Sequence, residues 1–173
     1  MKISISVKLG IAAGLINCIA WYGFAKSLSF YAVEVYVYRN YVTLALLVIG
    51  VFLSVFFKKR NDGGFMEFKN AIKTGLIYSL VLAVILAIFN YIYYYVITPD
   101  TIDYFLSEAK KSMLEMAAQN KIKATDIPKY LEGERSNFSS FKLIPPILFF
   151  GIISSLLAGG IFHKKNPLKL NEN

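Results

Sequence analysis

Apolar residues in this chain fall in four long runs, separated by stretches where charges and turn-forming residues collect. A helix rises about 1.5 Å per residue, so crossing a hydrocarbon core takes about 20 mainly apolar residues, within a range of about 17 to 25. Four segments meet that length: Leu9 to Ala25, Tyr41 to Phe57, Gly75 to Ile97 and Leu143 to Phe162. The first is the weakest, being short and carrying Asn17. The second contains no charge, and Ala32 to Tyr38 before it is apolar apart from Glu34. Taken alone that stretch is β-prone. Lipid does not tolerate an open strand edge, so it is expected to be helix or an interfacial hairpin. The third run has no charge and is stopped by Thr98-Pro99-Asp100. The fourth carries Pro145-Pro146 in its first turn, where missing amide hydrogens cost least. His163-Lys164-Lys165-Asn166-Pro167 closes it. The pattern predicts an all-α integral membrane protein, one four-helix domain over residues 1–173.

Between the third and fourth spans, residues 98–140 form the only loop large enough for structure outside the bilayer. Asp100 or Thr101 can cap a helix there, and Asp103 lies near the positive end of its dipole. Ile102, Phe105, Leu106, Ala109, Met113, Met116 and Ala117 recur at helical spacing, with Asp103, Glu108, Lys110, Lys111 and Glu115 on the other face. A second short helix is expected from Asp126-Ile127-Pro128 through Tyr130 and Leu131, ending before Gly133. The apolar stripe of this cap needs a partner: its own spans, the lipid surface, or another protein.

Composition agrees with the pattern. Hydrophobic residues make up 56% of the 173 and charged residues 17%, against about 25% in a soluble domain. A chain this small has too much surface to cover with so few polar groups in water; a bilayer removes the problem. The formal net charge of +8 could suggest nucleic acid. Its placement argues otherwise, since the charges sit in short clusters beside apolar runs and not along one helix among stacking aromatics.

Those clusters orient the chain. The side holding the N-terminus, the second loop and the tail has ten basic groups and three acids, while the opposite side has nine and eight. Lys58-Lys59-Arg60 and Lys164-Lys165 abut their spans directly. By the positive-inside rule both termini are expected to be cytoplasmic and the 98–140 cap extracytoplasmic. Trp21, Tyr91, Tyr93, Tyr94 and Tyr95, with Tyr22, Tyr31, Tyr36, Tyr38 and Tyr41, gather at the predicted outer boundary, where an aromatic belt anchors in headgroups. Phe65, Phe68 and Ile72 share one face of a lead-in to the third span, with Lys69 and Lys73 able to reach phosphates.

None of the four central runs contains an ionisable Asp, Glu, Lys, Arg or His. Such groups at depth usually mark function in a membrane protein. Their absence weakens proton-coupled transport and acid-base or metal chemistry within the bilayer. Glu34 and Arg39 fall outside the core, close enough to pair. Amides, hydroxyls and small residues remain. Asn17 and Ser154-Ser155 lie at matching depth, so a hydrogen bond between helices one and four is feasible. Gly10, Gly14 and Cys18 recur every fourth position on the first helix, and Gly151, Ser155 and Gly159 on the fourth. Such ridges let backbones approach closely. Helices one and four are therefore expected to pack through them, or one ridge to form a homodimer.

Cys18, the only cysteine, precludes an intrachain disulfide and reads as a small packing residue. Leu15 to Cys18 lacks the small residue a lipoprotein box needs before its cysteine. Met1 to Ala25 lacks a small-x-small cleavage site, so the first span is expected to stay attached. No phosphate-binding loop, nucleophile elbow or paired metal ligands occur, and His163 reads as a solvated flank. No enzymatic activity, cofactor or metal is expected.

Phe65-x-x-Phe68-Lys69-x-Ala71-x-Lys73-x-Gly75 leads into span three, followed by Asn90-Tyr91-x-Tyr93 and Pro99-Asp100. With the charged helix Ser107 to Lys121 and the ending Lys164-Lys165-Asn166-Pro167, these motifs resemble a family of small bacterial four-span inner-membrane proteins catalogued only as a domain of unknown function. The resemblance implies a four-helix membrane fold in a bacterial inner membrane and carries no catalytic or binding residues. Two functions fit: a non-enzymatic scaffold, accessory subunit or envelope component contacting a partner or a second copy through the cap, or a small oligomeric transporter passing a neutral solute by Asn17, Asn90 and Ser154-Ser155. Tight dry packing along the ridges would favour the first, an aqueous path the second.

Overall fold

The computed structural model describes residues 3–31 and 33–164, with only the backbone of Val33. Ala32, the lysines at 2, 165 and 169, and the stop residues Asn166 and Pro167 lie outside the described residues. Six α-helices follow one another: α1 (Ile5–Leu28), α2 (Val33–Asn61), α3 (Phe68–Ile92), α4 (Asp100–Ala118), α5 (Ile127–Asn137) and α6 (Ile144–Phe162). No strand occurs among the described residues. Helices α1, α2, α3 with its extension, and α6 with its lead-in are long and apolar enough to cross a membrane.

Helices α1, α2 and α3 each begin before the apolar run that predicts them, because backbone hydrogen bonding continues into the interface. Ser4 caps α1, its hydroxyl accepting from the Val7 amide at 3.4 Å. The β-prone stretch before the second span is helix from Val33 onward. Between α2 and α3 the chain reverses through Gly63 and Gly64, at φ +75° and +86°, where a side chain would be strained. A single antiparallel bridge, Met66 to Lys164, ties this turn to the end of α6. Pro145 and Pro146 occupy the first turn of α6, as their lost amides require.

The spans form a four-sided bundle in which α2 and α3 also meet across the short diagonal, while α1 and α6 sit at opposite corners. The expected pairing of helices one and four is therefore overturned. Both small-residue ridges face α3 instead. A Cβ on Gly10 would come within 2.9 Å of Val81, and one on Gly14 within 2.8 Å of Ile85. On the other side of α3, Gly151 faces Ser79, Ser155 faces Gly75, and Gly159 faces Ala71 and the Phe68 ring. Residues 71, 75 and 79 thus form a third ridge, antiparallel to that of α6. Helices in lipid gain no hydrophobic drive toward each other, so close backbone approach supplies the attraction. Cys18 is half-buried against the main core cluster, which runs through Leu47, Val51, Val55, Leu82 and Ala158.

Past Ile92 the helix widens into a π-helical turn, Tyr93–Ile97, that buries the consecutive Tyr93 and Tyr94. The Tyr93 carbonyl freed at its end accepts from both the amide and the hydroxyl of Thr98 at 2.9 Å. Helix α4 starts without a side-chain cap, so neither Asp100 nor Thr101 serves as one; Thr101 is fully buried instead. Its first half places Ile102 and Leu106 on the spans, and its second half pairs with α5. Helix α5 continues through Gly133 to Asn137. At the α4 surface, Glu108 accepts from Lys111 and holds that ammonium's pKa above its ordinary value.

Candidate functional site

Two pairs of residues, each four apart, set the site. Asn17 and Trp21 share one face of α1; Arg39 and Thr43 share one face of α2. The helices run antiparallel, so Asn17 meets Thr43 and, one turn nearer the cap, Trp21 meets Arg39. The Asn17 amide donates to the Thr43 hydroxyl at 2.8 Å, and that hydroxyl donates to the Arg39 carbonyl at 2.8 Å. The predicted bond from Asn17 to Ser154 or Ser155 does not form. Ser155 folds back on its own helix, donating to the Gly151 carbonyl at 2.6 Å. Helices α1 and α6 sit at opposite corners of the bundle, so Asn17 meets α2 instead.

Arg39 departs most from expectation. It makes no ion pair among the described residues, and Glu34 is exposed. The half-buried guanidinium lies 4.7 Å over the Trp21 ring and 5.3 Å from the Tyr36 ring. Two of its N–H groups donate to the Asn40 side-chain oxygen at 3.2 Å. Cation–π attraction of this kind contributes about 0.5–1 kcal/mol at an exposed site and about 2 kcal/mol or more when desolvated.

Beneath the Arg39–Trp21 rung opens a cavity of about 350 Å³. Asn17, Thr43 and Arg39 give it a polar edge; Leu44, Leu47, Leu86, Ile147 and Phe150 line the rest. Asn17 is fully buried, and its side-chain oxygen accepts no hydrogen bond. Leu44, Pro146 and Phe150 are exposed, so the cavity opens sideways between α2 and α6. Toward the basic end it is closed. Tyr78 donates to the Leu46 carbonyl at 2.7 Å and lies where a Cβ on Gly50 would be.

The aromatic anchors divide. Trp21, Tyr93 and Tyr94 are buried at 1%, 1% and 2% exposure, which corrects their placement in a lipid-facing belt. They form an internal cluster, with Trp21 4.8 Å from Tyr93 and Tyr94 5.2 Å from Phe138, because the α4 cap covers them. Tyr91 and Tyr95 do face outward, stacked at 4.9 Å. Phe65 is half-buried beneath the Lys164 ammonium, and Phe68 is partly exposed while its ring covers Gly159. Asn90 donates to the Phe138 carbonyl and the Ser140 hydroxyl at 3.2 Å each, stapling the end of the cap to α3. Asn17, Asn90 and Ser155 thus serve three separate contacts.

Missed in the sequence were Arg39, Asn40 and Thr43 as one polar rung, and Gly50 with Tyr78. The available cue for the second was a tyrosine far from the aromatic boundary, whose hydroxyl needs a partner in lipid.

Four apolar helices locked through backbone contacts, with a helical cap seated on one end, define a multi-pass membrane protein. The model of the family described as Protein of unknown function (DUF4199) matches residues 8–164, and the chain belongs to that family. Comparisons with the curated proteins and with the solved structures find no match.

Proposed function

We propose that this protein is a non-enzymatic scaffold or accessory subunit of a bacterial inner membrane, with both termini cytoplasmic and the cap outside. The observation that carries this is the dry seam between α3 and α6, where Ser79, Gly75 and Ala71 meet Gly151, Ser155 and Gly159 without an intervening cavity. A transporter needs a polar route through the bundle. Here Tyr78 and Gly50 fill the space below the cavity, and Asn17, Tyr78 and Asn90 each donate to a separate internal contact. The cap offers the contact surface: Leu114, Met116 and Tyr130 stand exposed on α4 and α5.

Photo-crosslinkers placed at Leu114 and Met116 in intact membranes test the role. Discrete protein adducts support it, including adducts between two copies of the chain; adducts to lipid alone defeat it. Cysteine accessibility at Asp62 and Glu115 tests the topology, with Asp62 expected to be reached only from the cytoplasm. Labelling of both positions from one side would reject it.

A further inference from the structure

We infer that the cavity beneath the cap binds a single-chain lipid whose anionic head carries a neighbouring hydroxyl. Three features of the same site point to it. Arg39 is the one charged side chain on the cavity wall, and no carboxylate pairs with it among the described residues. Its plane is held against Trp21 and Tyr36, and only two N–H bonds go to Asn40. A guanidinium has five N–H donors, and its planar fork fits a carboxylate or phosphate. The Tyr94 hydroxyl lies near the Arg39 guanidinium as well, and an anion would take up the donors these neighbours leave free.

Asn17 supplies the second feature. It lines the cavity about 6 Å deeper than the Arg39 rung, and its side-chain oxygen, buried just behind that wall, has no donor. Leaving such an acceptor unsatisfied is unfavourable, so a ligand hydroxyl at that depth would relieve it. The third feature is the remaining wall. It is apolar, and its open side lies between exposed Leu44 and Phe150, where an acyl chain enters from the bilayer plane. The volume of about 350 Å³ suits a head region and the start of one chain. Charge, hydroxyl and chain are required in that order along the ligand. A monoacyl glycerophosphate and a 3-hydroxy fatty acid both present them so.

The chain's single tryptophan, Trp21, lines the site and reports on it directly. The experiment titrates the full-length protein in a neutral maltoside detergent with monoacyl glycerophosphate carrying a brominated chain, reading Trp21 fluorescence. Saturable quenching is expected, at least about tenfold tighter than for the matched lysophosphocholine and for an analogue lacking the hydroxyl. A brominated 3-hydroxy fatty acid, compared with the unhydroxylated acid, distinguishes the two sources of the same chemistry; preference for either hydroxylated lipid supports the site. Arg39→Gln should weaken binding at least about tenfold, and Arg39→Lys should fall between. Should Arg39→Gln fail to fold, the headgroup comparison on the unaltered chain decides alone. Quenching that rises linearly with lipid mole fraction and ignores headgroup would overturn the proposal, since bulk lipid would then be touching Trp21. Displacement by inorganic phosphate alone would overturn it too, because the chain would then contribute nothing.

Discussion

The α3–α6 seam and the α1–α2 rung spend their polar groups in opposite ways. Along the α3–α6 seam Ser79 and Ser155 turn back on their own helices: Ser79 donates to the Gly75 carbonyl at 2.9 Å and Ser155 to that of Gly151 at 2.6 Å. That leaves two smooth surfaces in backbone contact. Near the cap, the α1–α2 rung keeps an unpaired guanidinium and an unsatisfied amide oxygen, beside a cavity. The first region follows the rule for stability in lipid, full polar satisfaction with small residues at the contact. The second breaks it. The open region is the one to which we assign a lipid ligand.

Substitutions sharpen this contrast. Gly151→Leu should have the largest effect, because its Cβ would enter Ser79 on a helix that cannot retreat. Overpacking of this kind costs about 1–3 kcal/mol or more, so folded protein recovered in detergent should drop severely. Gly159→Leu should be milder, since the Phe68 ring in its way is partly exposed, and Ser155→Gly should be tolerated. Full recovery of a Gly151→Leu, Gly159→Leu double variant would break the account of the seam. Next comes Gly50→Ala, which drives a methyl into the Tyr78 ring. It should lower the melting midpoint, and adding Tyr78→Leu should restore most of the loss; an additive double variant would mean the two do not touch.

A smaller effect belongs to Asn90→Ala. Removing two hydrogen bonds to the cap's end should cost about 1 kcal/mol and raise amide exchange at Phe138 to Ser140, leaving α3–α6 protection intact. Exchange spreading through α6 would show that cap and bundle are not separable. The smallest is Asn17→Leu. It loses the bond to Thr43, about 0.6 kcal/mol by comparison with other membrane helices, and also removes the unsatisfied oxygen. Without added lipid its melting midpoint should stay level or rise. A marked fall would mean that Asn17 holds the bundle together and is not kept for a ligand.

Much of the fold was legible because it depends on local quantities. The four spans follow from run lengths, the α6 start from Pro145-Pro146, and the cap helix from the Ile102 to Ala117 spacing. The small ridges of α1 and α6 were visible as four-residue repeats. Their common partner was not. The matching ridge Ala71, Gly75, Ser79 straddles the lead-in and the start of the strongest apolar run, where neither charge nor hydropathy singles out three small residues. Trp21 and Tyr93 illustrate the same limit. An aromatic near a span end reads as a lipid anchor until a cap is known to cover it.

What the chain's own residues determined is which segments prefer lipid to water, since transfer free energy sums over one helix at a time and needs no neighbour. Which faces meet depends on rotation and vertical register between helices, and small shifts in either exchange one set of contacts for another at little cost in hydropathy. Only the assembled bundle placed α3 between the two glycine ridges. Only there did Arg39 turn from Glu34 toward Trp21, because α1 and α2 together offered it aromatic faces beside an open cavity.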